Sequence, residues 1–230
     1  MHSNNKNISN INKLNKIRNK YLLKTIFDNL LELKQFQLIK YNKKIQNKIE
    51  ISLQDYQLFK KIIIEIIPIK KNDKNKFINI PKEKKNYYHI YFNKDKKEMK
   101  RNYFTQKSKV ESIKIVIDEK ITSLFELFKR CDCIEKINFI RFNRSNIKNM
   151  NYMFYECSSL KELNLKNFNT DNAINMNYMF YKCSKLKELN LNSFNFNDVI
   201  YMKSMFTGCS NEIKNKIRFQ FPNLEDEAFL

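Results

Sequence analysis

Residues 150–195 read MNYMFYECSSLKELNLKNFNTDNAINMNYMFYKCSKLKELNLNSFN, and the stretch states one pattern twice at a spacing of 26. Met150, Met153, Phe154, Cys157, Leu160, Leu163, Leu165, Phe168 and Asn169 return as Met176, Met179, Phe180, Cys183, Leu186, Leu189, Leu191, Phe194 and Asn195. Working outward, the same register holds upstream in Leu124, Leu127, Phe128, Cys131, Ile134, Ile137, Phe139, Phe142 and Asn143. Downstream it holds in Met202, Met205, Phe206 and Cys209, after which the fourth unit departs. A fixed period in this range is the mark of a repeat architecture, in which one unit cannot bury its apolar face alone and stacked units share a core.

Within a unit, Leu160-Lys-Glu-Leu-Asn-Leu165 has the L-x-x-L-x-L spacing, which turns Leu163 and Leu165 inward on a short strand and Glu162 and Asn164 outward. Met176, Met179, Phe180 and Cys183 fall at i, i+3, i+4 and i+7, the stripe of a short helix. Each unit therefore reads as a strand plus a helical turn. Asn169, after Phe168, suits a chain reversal, and its column suits a ladder of side-chain amides satisfying neighbouring turns. Asn211 to Phe219 reads as an amphipathic helix with Ser210 as N-cap and Ile213 and Ile217 inward, guarding the last unit.

The text from Met150 to Asn195 resembles the BspA-type leucine-rich repeat family, whose units read N-M-x-x-M-F-x-x-C-x-x-L-x-x-L-x-L-x-x-F-x-T. The resemblance covers about residues 124–210. It implies a leucine-rich-repeat solenoid used for adhesion or protein binding. Many bacterial members are exported, whereas this chain, Lys- and Asn-rich and without a signal peptide, is more similar to the intracellular protist versions, where the repeats follow a basic helical region.

Charge divides the chain. Residues 1–118 carry 28 basic and 11 acidic side chains, whereas 119–230 carry 16 and 13, of a total net charge of +20. Lys, the 34 Asn, Ile, Phe and Tyr are residues of A/T-rich codons, so genome composition accounts for part of that surplus. Residues 1–16 are expected to be a disordered tail and 17–69 a helical domain. Its three stripes are Leu23, Ile26, Phe27 and Leu30; then Leu38, Tyr41 and Ile45; then Leu53, Tyr56 and Phe59 after Ser52. Leu22 to Leu30 is similar to the start of an F-box, without its usual leading proline. Residues 70–86 read as a Lys-rich linker and 87–118 as an N-terminal β cap, with strands at Tyr87 to Phe92, Met99 to Phe104 and Ile113 to Ile117 around a polar turn at Asn93 to Lys97. The solenoid is assigned to 119–210, and a capping helix and tail to 211–230.

Composition excludes much chemistry. One glycine, Gly208, cannot write a dinucleotide fingerprint, a P-loop or a nucleophile elbow. The longest apolar run, Ile62 to Ile67, is too short for a membrane span. The cysteine column lacks the paired spacing of a zinc site, His2 and His89 lie outside the repeats, and the column reads as buried small hydrophobes; Met153, Met179 and Met205 read as core filling. Glu162 and Glu188 are repeat equivalents on a solvated face, which explains them better than a paired-carboxylate hydrolase. Lys82 to Arg101, interleaved with Tyr87, Tyr88, Tyr91 and Phe92, has the ingredients of nucleic-acid binding, although a charged hairpin with inward aromatics is preferred.

The sequence thus points to an α/β fold: a short leucine-rich-repeat solenoid with a small N-terminal helical domain and a β-hairpin cap. Its expected function is non-enzymatic display of a strand face to a protein partner, with no cofactor and no metal, in the cytoplasm or else the nucleus. That face is Lys136, Asn138, Glu162, Asn164, Lys166, Glu188, Asn190 and Asn192. The alternatives are an F-box-like ubiquitin-ligase substrate adaptor acting through Leu22 to Tyr41, and a basic nucleic-acid-binding protein.

Overall fold

A computed structural model describes Leu23, Ile26, Leu38 and residues 41–50, 60–69, 75–105, 109–142 and 146–230. The chain divides into two compact units, Met1–Lys60 and Lys61–Leu230. In the first, α1 (Lys43–Ile49) starts at Asn42, whose Oδ1 accepts the Ile45 amide at 3.0 Å. This cap interrupts the stripe expected through Tyr41. Ile45 and Ile49 are buried one turn apart, with Leu23 and Leu38 also buried, while Tyr41 is 75% exposed. The tail 1–16, the stripe Leu53, Tyr56 and Phe59, and the F-box-like segment apart from Leu23, Ile26, Leu38 and Tyr41 lie outside the described residues.

The second unit is a mixed α/β structure around one six-stranded sheet. Its strands are β1 (Ile62–Pro68), β2 (Tyr88–Phe92), β3 (Glu98–Met99), β4 (Ile113–Ile117), β5 (Ile134–Arg141) and β6 (Glu162–Asn164), in the order β3-β2-β4-β1-β5-β6. β1 is antiparallel to both neighbours, with Ile64 opposite Ile115 on one side and Ile66 opposite Ile137 on the other. Only β5 and β6, one period apart, run parallel, and Lys136 faces Glu162. Ile62, Ile64 and Ile66 are fully buried. Ile62–Pro68, assigned from sequence to the helical domain, is thus a central strand: a run of isoleucines satisfies helix and strand alike, and tertiary pairing decides.

The assigned linker 70–86 also needs correction over its described part. Phe77 and Ile78 are fully buried, with Phe77 packed at 5.8 Å from Phe92 and 5.1 Å from Phe104. In the cap, β2 and β4 fall as expected, and Asn93 and Lys94 make the turn with positive φ. The return strand is only two residues long, although Tyr103 forms a bridge with Lys76.

The repeated segment departs from expectation first in its turns. The apolar stripe at Met176 to Cys183 is not helical. Each copy is a pair of tight turns, seen in Met179 N–H donating to Met176 O at 3.1 Å and Cys183 N–H to Phe180 O at 3.1 Å. Two turns in series return side chains to one side at the same spacing as a helix, so periodicity cannot separate them. What forbids the helix is that alternate amides go elsewhere. Met150, Tyr152, Phe154 and Glu156 donate to Asn175, Asn177, Met179 and Tyr181 of the following unit at 2.8–3.0 Å. Leu124 to Arg130, and Met176 to Lys182, repeat this ladder one period away. Glu126, Arg130, Tyr152, Glu156, Tyr178, Lys182 and Ser204 accordingly hold φ between 51° and 57°. For L-residues such backbone costs about 1–2 kcal/mol each. Gly208 occupies the same column at φ 76°, where a Cβ would stand 2.8 Å from Lys182 Cγ.

Side chains file along the ladder. Phe128, Phe154, Phe180 and Phe206 are fully buried and stack at 5.6, 5.6 and 5.8 Å with near-parallel rings. The cysteines are more than small hydrophobes: Cys157, Cys183 and Cys209 donate their thiol hydrogens to Phe128 O, Phe154 O and Phe180 O at 3.0, 3.1 and 3.2 Å. The Phe154 carbonyl thereby accepts both the Cys183 thiol and its own unit's Cys157 amide. Asn169 and Asn195 do not bridge units as expected. Their Oδ1 atoms accept the amides of Asp171 and Asn197, two residues on, and the link between units at this level is Thr170 Oγ1, which donates to Asn195 O and accepts its amide.

Both ends of the ladder are closed. Asn79 donates its backbone amide to Leu127 O at 2.8 Å and its Nδ2 to Lys129 O at 2.9 Å and Glu126 O at 3.0 Å. At the other end, α2 (Asn211–Gln220) begins at Ser210, whose Oγ accepts the Ile213 amide, and buries Ile213 and Ile217 as expected. Beyond it, Glu227 O and Ala228 O accept the amides of Ser204 and Phe206, and Phe229 packs 5.4 Å from Phe206.

Asn79→Ala removes the side-chain amide that serves the Lys129 carbonyl and supplements the Lys129 amide at Glu126 O, and should destabilise the chain by about 1–3 kcal/mol in urea unfolding; an unchanged midpoint would refute the capping role. Burial pushes the Cys133 and Cys209 thiols up from 9.0 to about 12, and raises Cys131, Cys157 and Cys183 as well. The folded state therefore holds these protons more tightly than the unfolded one. Stability should be full below pH 9 and fall as pH climbs from 9 toward 12. Urea midpoints measured across that range, for the native chain and for Cys209→Ala, should show the shallower decline in the variant.

Candidate functional site

The outward residues of the sheet form one continuous face. Across it, Tyr91 stands opposite Lys114, Lys114 opposite Glu65, Glu65 opposite Asn138, and Asn138 opposite Asn164. The eight residues singled out from sequence all lie on this face or its continuation, because strand alternation at Ile137, Leu163 and Leu165 turns their neighbours out. Six of them, Glu162, Asn164, Lys166, Glu188, Asn190 and Asn192, line one open concavity of about 840 Å3 together with Lys161, Lys187 and Ser193.

That concavity exists because the third unit makes no strand. Residues 188–190 were expected to pair as 162–164 do, yet the links between these units are Lys187 N–H to Lys161 O at 3.2 Å and Ser193 Oγ to Leu165 O at 3.0 Å. On its far side the fourth unit turns into α2, so residues 188–190 have a strand neighbour on one side at most. The chain there forms no ladder with β6, and Glu188 and Asn190 line the concavity.

Within the face, the side chains are differently committed. Lys136 and Glu162 pair with each other at 2.8 Å, and this bond holds the Lys136 ammonium above its ordinary value. Asn164 and Asn190 spend their Oδ1 atoms on the amides of Lys166 and Asn192, closing local turns at 3.0 and 2.9 Å. Asn192 Oδ1 accepts from Gln220 Nε2 at 2.6 Å, tying the groove floor to α2. Lys161 pairs with Glu135 at 3.1 Å. The exposed charges of Lys166, Lys187 and Glu188 thus stand over a rim whose asparagines are structural.

Sequence reasoning missed the part of this face contributed by β1. Glu65 and Ile140, with Tyr91, Lys94, Asp95, Lys96, Ser112 and Lys114, line a second concavity of about 410 Å3. The available signal was the single Glu65 set amid isoleucines, a polar residue at period two on a strand. It also missed a surface ladder of aromatic rings on the turn segments: Tyr152 stacks on Tyr178 and Tyr155 on Tyr181, both at 4.9 Å, with Lys129 5.0 Å above Tyr152 and Lys182 5.2 Å from Tyr181. Between them, Glu156 bridges Arg130 at 2.7 Å and Lys182 at 3.6 Å.

Other candidates resolve as follows. His89 sits outward on β2 between Glu98 at 3.3 Å and Asp118 at 3.4 Å, with Lys61 2.7 Å from the same Asp118. In the basic aromatic run, Tyr88 and Phe92 face the core and Arg101 lies 5.5 Å over the Phe92 ring, so those two rings are not presented for base stacking. Among the described residues, no group of three or more His, Cys, Asp or Glu is placed to hold a metal ion, and no helix is long and apolar enough to cross a membrane.

No curated protein and no solved structure matches the chain. The stretch that carries the groove and its supports does have counterparts: residues 97–226, from the β2–β3 turn to the closing segment and more than half of the chain, match the family model described as "Mycoplasma protein of unknown function, DUF285", and the chain belongs to that family.

Proposed function

We propose that the stacked units are a short leucine-rich-repeat solenoid of the BspA type, and that the chain is a binding scaffold, not an enzyme, whose strand face receives a protein partner. The observation that carries this reading is the groove of about 840 Å3, built from equivalent positions of successive units and lined by exposed charges on a rigid base. Repeat arrays bind through such faces because neighbouring units present side chains at fixed spacing, and affinity accrues over several of them. The cross-unit ladder and the shared phenylalanine file supply the rigidity, so little ordering cost falls on binding.

A reducing, cytoplasmic location accords with the same geometry. Cys133, Cys157, Cys183 and Cys209 use their thiol hydrogens as donors at 3.0–3.2 Å, and a disulfide would remove those hydrogens.

Since Asn164 and Asn190 close turns, replacing them tests stability as much as binding. Lys166 and Glu188 are the cleaner probes. In affinity capture from native cell extract, the double charge reversal Lys166→Glu, Glu188→Lys should lose the principal protein partner by tenfold or more with an unchanged melting temperature. Full retention of every captured protein would remove the groove as the binding site. Capture that survives the reversal but collapses between 50 and 200 mM salt with nuclease-sensitive yield would point instead to nucleic acid.

A further inference from the structure

The groove on the repeats does not end at the first repeat strand. Asn167, which follows the groove residue Lys166, donates from Nδ2 to Ile140 O at 3.0 Å, and Ile140 lines the second concavity, the one of about 410 Å3 on the N-terminal strands. The two concavities therefore adjoin at Ile140, an apolar side chain left 47% exposed. The row Lys114, Glu65, Asn138, Asn164 steps from one to the other across β4, β1, β5 and β6. Charge along this track is unevenly spent. Lys136 and Lys161 are paired with Glu162 and Glu135. Among the described residues, Lys94, Lys96 and Lys114 in the second concavity and Lys166 and Lys187 in the first have no ion-pair partner. Against them stand Glu65, Asp95 and Glu188. Asp95 Oδ1 is engaged by the Lys97 amide at 3.1 Å, and Glu65 lies opposite Lys114 with no ion pair between them.

We propose, resting on the strand-face reading, that the partner presents an extended acidic peptide segment lying across both concavities. One of its carboxylates sits among Lys94, Lys96 and Lys114, a second beside Lys166 and Lys187, and an apolar side chain between them covers Ile140. Adjacent strands stand about 4.8 Å apart, so the three steps from Lys114 to Asn164 span roughly 14 Å, which an extended peptide at about 3.3 Å per residue covers in about four residues. Residues i, i+2 and i+4 of such a peptide point the same way, and this puts both acids and the apolar residue on the side facing the sheet. Nucleic acid fits the track less well. Tyr91 is the one aromatic residue lining either concavity, so successive bases find no stacking platform, and Glu65, Asp95 and Glu188 oppose an unbroken run of phosphates. A peptide places its charges singly and avoids them. Exposed charges of this kind govern the choice of partner more than raw affinity, so the quantity to measure is a ratio.

Fluorescence anisotropy of the full chain with labelled nine-residue peptides, at low salt, tests this. A peptide with Glu at its third and seventh positions and Leu at its fifth should bind about tenfold or more tighter than the same peptide with Lys at both. Lys96→Glu, a change in an exposed turn, should weaken the Glu peptide about threefold at an unchanged melting temperature. The double variant Lys96→Glu, Lys114→Glu should prefer the Lys peptide, a gain that damage to the fold cannot produce. Equal affinity for the two peptides, no binding of either up to about 1 mM, or a double variant with the native preference overturns the proposal, as does tighter binding of a single-stranded oligonucleotide. Neither substitution touches Lys166 or Glu188. A captured protein partner that is lost on reversing those two, yet indifferent to Lys96→Glu, Lys114→Glu, ends this proposal and leaves the strand-face reading standing.

Discussion

The structure depends on amides that leave their own turn. In each of the first three repeated units, four alternate backbone N–H groups donate to carbonyls of the next unit, and this single arrangement dictates the rest. It excludes a helix, because a helical segment would spend those amides on carbonyls four residues back. It forces two residues per unit into left-handed backbone, a cost that only a closed ladder can offset. It also sets the distance between units at which rings, thiols and side-chain amides line up. The buried phenylalanine file and the thiol-to-carbonyl bonds follow from that spacing, and each adds burial or satisfaction that an isolated unit could not obtain.

A ladder of this polarity has two unlike ends, and the chain treats them differently. One end offers bare carbonyls, and Asn79 meets them with one backbone and one side-chain donor. The other offers bare amides, and the carbonyls of Glu227 and Ala228 receive them. The sheet solves its own edge separately, by laying β1 antiparallel against the first repeat strand so that the parallel pair is never left open on that side. The N-terminal strands are therefore the seal that lets a short array of units stand without a preceding repeat.

What could be read from the sequence follows from this division. The period, the inward columns and the strand face were legible because each is repeated, so coincidence at three or four positions stood in for structural knowledge. The helix Asn211–Gln220 was legible because Ser210 and the pair Ile213 and Ile217 obey local rules. The left-handed turns were not, since Tyr, Glu, Arg and Lys at those positions carry no preference for that backbone; it is imposed from the next unit. Nor were β1 and Asn79. Each acts once, across 47 residues or more, and nothing local distinguishes Ile62 to Ile67 as strand or Asn79 as a cap. Of the candidate face, strand alternation gave the outward positions, but their division into turn-closing residues such as Asn164 and exposed ones such as Lys166 required the turn geometry.

Closing an array well in one currency leaves it open in another. The turn ladder ends with the Ser204 and Phe206 amides received by Glu227 and Ala228 and with the buried phenylalanine file covered by Phe229. The strand side ends without an equivalent. α2 replaces the fourth strand, supplies Ile213 and Ile217 to the core, and leaves residues 188–190 unladdered and the file at Phe194 without a successor. A helix can bury one apolar face against a flat stack, but it cannot extend a strand or continue a column of rings. Both concavities in this half of the molecule, the one above Leu163 and Leu165 and the one beside Phe194, adjoin the place where a helix stands in for a strand. Surface recesses are found where the repeat is broken, because there the stacking of units has no next unit to continue it.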